Sequence, residues 1–368
     1  MKHHISKIIL LAALTGVIAF FSLSYIFIPA KSFSEHENRF LQNAPKITLN
    51  KLINGIYTTQ LHDYFADQIN LRAQMITIKA YCEMALGKRE NNGIILANDG
   101  YLIEMPSYNE ENYQHLKSNL SQIEILVKKL EENNVKAYSF IVPRKVDLLV
   151  HKLPFYSNKR SETALNYVKS PHNSLLPTLQ HEDKDVFYKT DHHLNYYGTY
   201  LLYLALSNAL GFKTLPIDQF DWITLSNEFY GTSYSKSGFF LSKPDKIIAP
   251  SYQNEEYQTT IVDTDQIFSG LYDLSYLNQK DKYSTFLSGN NAHVKIVDTK
   301  TEKETLLIIK DSYAHALAPY LCKHYNLEIF DPRYYTGSIS SYIEENEIKN
   351  VLFLFGLDTL ATAKLSIR

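Results

Sequence analysis

The chain reads as an α/β protein with a mostly parallel sheet, preceded by one helix of membrane-spanning length. Three observations predict this. Residues 109–134 place Leu116, Leu120, Ile123, Leu126, Val127 and Leu130 on one face of a helix. The apolar run 136–143 follows at once, which is the helix-then-strand rhythm of such sheets. The rhythm returns near the C-terminal end, where Leu306-Leu307-Ile308-Ile309 stops abruptly at Asp311-Ser312 with a helix predicted directly behind. The third observation is the uncharged stretch from Ile8 to Ala30, long enough to cross a bilayer core.

In chain order, Lys2 and Lys7 precede the apolar stretch, and the positive-inside tendency places everything after Lys31 outside the cytoplasm. A cleaved signal peptide is the alternative, but its apolar core is usually shorter and no small-x-small cleavage site stands out. Residues 1–33 are therefore expected to form a cytoplasmic N-terminus and an uncleaved single-pass anchor. The polar stretch 33–45 is expected to be a juxtamembrane linker, and 49–86 carries helical spacing; together 34–92 reads as linker and helical extension. The main domain is expected over 93–368. It starts with strands 93–96 and 101–103 around the Asn98-Asp99-Gly100 turn. A short strand, 185–188, runs into Asp191-His192-His193, and a helix continues to Gly211. Residues 213–304 are read as an insertion, with a Gly/Ser/Tyr-rich loop at 229–238 and an excursion from the sheet over 252–300. Strand 327–330, a helix over 339–346 and strand 351–355 complete the pattern.

Composition excludes several function classes. A net charge of −2 and the lack of a basic stripe interleaved with aromatics give no support to nucleic-acid binding. Cys82 and Cys322 are too few for a disulfide framework and lack metal-ligand spacing, so free thiols are expected, with a single bridge left open. The 28 tyrosines against one tryptophan suit carbohydrate surfaces, and equally suit a solvated core edge.

The chemistry-bearing residues are Asp191, His193 and Ser312. Strand ends collect on one edge of a parallel sheet, so side chains distant in sequence can meet there. Serine needs a base within hydrogen-bond reach, imidazole can take and return its proton, and a carboxylate fixes the imidazole tautomer. Free N–H groups of a helix behind Ser312 would stabilise an oxyanion. Two other readings are open: Asp311 or Ser312 as a helix cap with Asp191 capping the next helix, and a metal held by Asp191, His192 and His193.

Tyr188-Lys189-Thr190-Asp191-His192-His193 and the later Lys310-Asp311-Ser312-Tyr313 resemble the DHHW family, which is similar to SGNH-hydrolase-like acetyltransferases of exported polysaccharides. Ser-Glu-His-Glu-Asn-Arg at 34–39, Gly87-Lys88 before Asn92-Gly93-Ile94, and Asp331-Pro332-Arg333-Tyr334 also fit. The resemblance implies a three-layer SGNH-like domain whose motif order, acid and base before nucleophile, is circularly permuted. It implies a Ser312 acyl-enzyme with His193 as base and Asp191 as its orienter, and no cofactor or metal. It further implies O-acetyl transfer to a cell-surface polysaccharide, supplied by a multi-spanning membrane acyltransferase; a carbohydrate acetyl esterase or a non-catalytic scaffold of an export complex are the alternatives. Three positions depart from the family pattern. Leu194 stands for the tryptophan, Lys310 for the glycine before Asp-Ser, and Asp358 for an asparagine that would donate to the oxyanion. A carboxylate donates only when protonated. Arg333 is the candidate substitute donor, with a plain salt bridge as the other reading, and Tyr313 and His192 are candidate substrate-binding residues.

Overall fold

The computed structural model describes residues 2–154, 162–180, 184–253 and 255–367. The chain divides into two compact units, Met1–Lys88 with Gly238–Leu241, and Arg89–Ser237 with Ser242–Arg368.

The first unit begins with helix α1 (Lys2–Phe27), whose segment Ile5–Phe27 is long and apolar enough to cross a membrane. Helices α2 (Leu49–Ile53), α3 (Ile56–Gln68) and α4 (Arg72–Ala85) follow, as the helical spacing predicted. The stretch expected to be a linker is ordered. Phe33–Ser34 pairs with Arg39–Phe40 as a small hairpin. Glu37 accepts from Arg72 Nε at 2.9 Å, and Asp67 takes both Arg39 Nη1 and the Gln42 N–H. The polar residues that suggested a linker thus form an ion-pair network. Tyr25 donates to the Phe65 carbonyl at 2.6 Å, tying α1 to α3.

The second unit is built on an eight-stranded sheet. Its strands are β1 (Lys136–Val142), β2 (His172–Ser174), β3 (Tyr257–Ile261), β4 (Gln266–Ser269), β5 (His293–Asp298), β6 (Thr305–Lys310), β7 (Asn326–Phe330) and β8 (Asn350–Gly356), in the spatial order β4-β3-β5-β7-β6-β8-β1-β2. Strands β7, β6, β8, β1 and β2 run parallel, and β5, β3 and β4 add an antiparallel edge. The excursion expected over 252–300 is therefore corrected. Its alternating polar and apolar residues belong to edge strands covered on one face, where alternation is the rule. The segment that does leave the sheet is the hairpin Asp221–Phe229 with Asp245–Ser251.

Period-two alternation along β6 explains the three layers. Leu307 and Ile309 pack with helices α5 (Glu110–Glu132), α8 (Ile339–Glu345) and α9 (Leu357–Thr362). Leu306 and Ile308 face the other way, onto α6 (Tyr196–Leu210). The start of α5 is capped by Asn109, whose side chain accepts from the Asn112 N–H while Asn112 returns the bond. Residues 90–104 form a small three-stranded sheet around the expected Asn98–Gly100 turn. The register sets Gly356 beside Val142, Leu354 beside Lys310 and Ile309 beside Phe330. The residues just beyond these strand ends, Arg144, Ser312, Asp331 and Asp358, consequently share one edge of the sheet.

Candidate active site

Asp191 and His193 do not follow a strand. Residues 185–188, expected as one, contribute only the isolated bridge Phe187–Leu194, and the Asp-His-His block fills the tight loop between. The loop is closed by backbone bonds from Tyr188 N–H to the His193 carbonyl and from Asn195 N–H to the Val186 carbonyl. Asn195 then caps α6, accepting from the Tyr197 and Gly198 N–H groups. Below the loop, the buried Lys145 ammonium donates to the carbonyls of Leu102, Lys189 and Asp191 at 2.8, 2.9 and 3.0 Å. Burial pushes this lysine down to about 7.

The structure brings Asp191, His193 and Ser312 together in one line. Asp191 Oδ1 lies 2.6 Å from His193 Nδ1, and His193 Nε2 lies 2.8 Å from Ser312 Oγ. Asp191 and His193 are buried and Ser312 is half-buried, so a reagent meets the serine first. Four donors converge on the Asp191 carboxylate: His193 N–H and Nδ1 on Oδ1, Thr232 N–H and Oγ1 on Oδ2. Burial alone would raise this carboxyl, but the two neighbouring imidazoles and these bonds hold it well below the usual range. An ionised Asp191 selects the tautomer with hydrogen on Nδ1, leaving the Nε2 lone pair toward Ser312. Gly231 makes the close approach possible, since a Cβ there would stand 2.2 Å from Asp191 Cβ.

Ser312 sits where β6 ends, but the helix expected behind it is a single 3₁₀ turn, Ser312–Ala314, with the short helix Ala318–Leu321 after it. So little regular helix has only a small dipole, and the oxyanion argument from a helix N-terminus falls away. The cap and nucleophile readings are divided between two residues. Asp311 is the cap, accepting from Tyr313 N–H at 3.0 Å and from Gly356 N–H at 2.7 Å. Its neighbour Ser312 is left to bond the imidazole.

The remaining candidates fall on three sides. His192 stacks on His193 with centroids 3.9 Å apart, and its Nδ1 lies 2.8 Å from Thr232 Oγ1. Since the Thr232 hydroxyl hydrogen goes to Asp191, His192 Nδ1–H is the donor in that pair and its Nε2 carries a lone pair. Burial and the adjacent His193 push His192 down to about 3, which keeps it neutral. Tyr313 donates to the His192 carbonyl at 3.0 Å and sets its ring edge-on to His193. A Cβ at Gly356 would lie 2.4 Å from that ring. Asp358 is not placed as a donor: it accepts from the Tyr108 hydroxyl, and burial pushes its carboxyl up. Arg333 pairs with Asp331 through Nε and Nη2, at 2.9 and 2.6 Å, and its Nη2 also reaches Asn290 Oδ1 at 3.3 Å. Leu194, standing where tryptophan was expected, is buried in the core around α6. Cys82 and Cys322 are both free thiols.

For a metal, one atom each of Asp191, His192 and His193 lies within 4.8 Å of the others. The donor chemistry fits poorly: the carboxylate is filled by four hydrogen bonds, His192 Nδ1 is turned to Thr232, and His193 Nε2 faces Ser312. Two neighbours gave no sequence signal. The loop expected over 229–238 holds a short helix, α7 (Thr232–Ser237), whose first residue closes on Asp191, and Tyr283 is stacked on His193 at 3.9 Å.

The site sits on a layered α/β fold built on a central, mostly parallel sheet, with Asp-x-His ahead of the serine in the chain. A family model described as DHHW protein matches residues 137–330, more than half of the sequence, and the chain belongs to the DHHW family. The structure is similar to a DHHW family protein from Eubacterium siraeum, at 19% identity and a TM-score of 0.58, covering 74% of this chain and 94% of that one. It is similar to Bacillus cereus PatB1 bearing a sulfonyl adduct, at 21% identity and a TM-score of 0.60, covering 74% and 98%. The O-acetyltransferase domain of Pseudomonas putida AlgJ aligns at 15% identity and a TM-score of 0.44, over 74% and 93%. No curated protein matches the sequence.

Proposed function

We propose that the protein transfers an acyl group, most simply acetyl, to hydroxyls of an exported cell-surface polysaccharide through a Ser312 acyl-enzyme. The observation that carries this reading is the hydrogen-bonded line Asp191–His193–Ser312, with contacts of 2.6 and 2.8 Å. Ser312 Oγ attacks the acyl carbonyl carbon while its proton passes to His193 Nε2, and Asp191 steadies the imidazolium. The imidazolium returns that proton to the departing donor oxygen, leaving the serine ester. The acceptor hydroxyl then gives its proton to the same nitrogen as it attacks the ester carbonyl, and the imidazolium passes that proton to Oγ as Ser312 leaves. The DHHW membership supports the transferase form, and the apolar helix Ile5–Phe27 supports a body held at the outer face of a membrane, where a multi-spanning acyltransferase would deliver the acyl group. On this reading residues 1–33 anchor the chain, 34–92 form the extension, and 93–368 the catalytic domain.

A sulfonyl adduct, as on PatB1, is the product expected when an activated hydroxyl meets a sulfonyl reagent. Incubation of the full chain with an arylsulfonyl fluoride should add one sulfonyl group at Ser312, read by peptide mass spectrometry, and Ser312→Ala should add none. A folded protein that stays unlabelled, and turns over no acetyl ester, would reject the reading. Esterase and transferase separate by acceptor. With short glycans present, a transferase yields acetylated sugar, whereas an esterase releases acetate undiminished.

A further inference from the structure

The base of the site is the middle ring of a stack. Tyr283 lies 3.9 Å from His193, centroid to centroid, with the planes only 12° apart. His192 lies at the same 3.9 Å, tilted by 36°. Two rings whose centroids both lie this close cannot share one face of an imidazole, so they flank it, Tyr283 flat on one side and His192 tilted on the other. Tyr283 is itself fixed. It is buried, its hydroxyl donates to the Ser312 carbonyl at 3.3 Å, and its ring packs against Tyr188, Phe229 and Phe286. Behind it His315 continues the stack at 6.1 Å and 16°. One side chain therefore supports the base through its ring and the nucleophile's own backbone through its hydroxyl.

We infer that Tyr283 is a positioning residue of this active site, holding the His193 imidazole in the plane that aligns Nε2 with Ser312 Oγ and steadying the imidazolium formed there. This rests on the acyl-transfer reading above. The physical grounds are two. Asp191 pins the ring at Nδ1 and Ser312 at Nε2, and these bonds alone leave rotation about the line joining them. A flat neighbour on each face removes it. The proton taken from Ser312 also makes the ring a cation, and an aromatic face attracts a cation. No atom of Tyr283 enters a bond that forms or breaks: the proton moves from Oγ to Nε2 and on to the leaving oxygen.

The test compares Tyr283→Leu with Tyr283→Phe in the full chain. Loss of the flat wall should lower kcat for a small acetyl ester about 10- to 100-fold, since small misplacements at a reacting centre cost that much. KM should stay within about twofold, because the ring does not bind the ester. Tyr283→Phe keeps the stack and should recover kcat to within about threefold of the parent. A second readout needs no turnover. In protein carrying 13C-labelled histidine, the His193 ring protons feel the tyrosine ring current; they should move downfield in Tyr283→Leu and stay in Tyr283→Phe. Tyr283→Leu with parental kcat overturns the inference, whether or not the resonance moves. A lowered kcat with an unmoved His193 resonance also overturns it, since Tyr283 would then not have been stacked on the imidazole in the parent and the loss would have another cause. A parent that neither labels nor turns over removes the step to be positioned, and that failure is seen before any variant is made.

Discussion

Replacing Asp191 by asparagine should cost stability as well as rate. In the familiar serine-protease triad the same exchange leaves the geometry intact and acts through the imidazole tautomer. Here the carboxylate has a backbone donor on each side, His193 N–H at 2.9 Å on Oδ1 and Thr232 N–H at 2.7 Å on Oδ2. An asparagine has one acceptor oxygen and one donor nitrogen. Either way round, its NH₂ faces a main-chain N–H that loses its acceptor. With NH₂ toward Thr232, the His193 tautomer survives and only the charge beside the imidazolium is lost. With NH₂ toward His193, the tautomer inverts too and Nε2 becomes a donor. The stranded donor should cost about 1–3 kcal/mol of unfolding free energy. Turnover of an acetyl ester should fall at least about a hundredfold, and toward ten-thousandfold if the tautomer inverts. Urea unfolding followed by the fluorescence of Trp222, the chain's single tryptophan, gives the first number, and steady-state turnover gives the second. A variant as stable as the parent would show that the two backbone bonds do not hold the carboxylate, and would undo the account of the loop.

Two further outcomes follow from the same loop. Gly231→Ala should cut turnover about a hundredfold or more at unchanged secondary structure, because its methyl would stand 2.3 Å from Asp191 Oδ2 and move the orienter; full activity on the ester would contradict the close approach. Lys145→Met should change how stability depends on pH. Burial pushes the folded lysine down to about 7 from an ordinary 10.5, so between those values the unfolded chain holds the extra proton. The parent should gain stability relative to Lys145→Met by roughly 1.4 kcal/mol per pH unit as pH rises through that window, and urea midpoints at pH 7.5 and 9.5 that differ equally for both proteins would refute it.

The core of the fold was legible because its signals are local. Buried parallel strands such as 306–309 and 351–355 are apolar on every residue, and α5 carries its stripe and its Asn109 cap in sequence. The strands over 257–298 were misread because each is short and covered on one face, so polar residues alternate as they would in an excursion. Strand 185–188 was expected from its apolar residues, but the core packing of Val186 and Phe187 explains those without a ladder. Asp191, His193 and Ser312 carried a recognisable pattern. Their supports did not. Thr232 acts through a backbone N–H, which any residue has, and through one of the chain's many hydroxyls, and Tyr283 is one of 28 tyrosines.

Lys310 illustrates how a departure from a motif is judged by where the side chain goes. Read in sequence, a lysine in place of glycine beside Asp311-Ser312 suggests damage and would support a vestigial site. In the structure it is the last residue of β6, and period two sends its side chain to the face of Leu306 and Ile308, away from the neighbours of Ile309. There its ammonium donates to His315 Nε2 at 2.9 Å and to Asp331 Oδ2 at 3.1 Å, while Arg333 closes on the same aspartate. Burial still lowers the lysine, and Asp331 works against that by pairing with it. A buried ammonium with a carboxylate and an imidazole in place is a compensated substitution, since unpaired burial of that charge would not be tolerated. The backbone at Asp311 keeps both its bonds, to Tyr313 and to Gly356. The lysine consequently gives no argument against a working serine: its accommodation runs through Asp331 and His315, and the line from Asp191 to Ser312 does not pass through either.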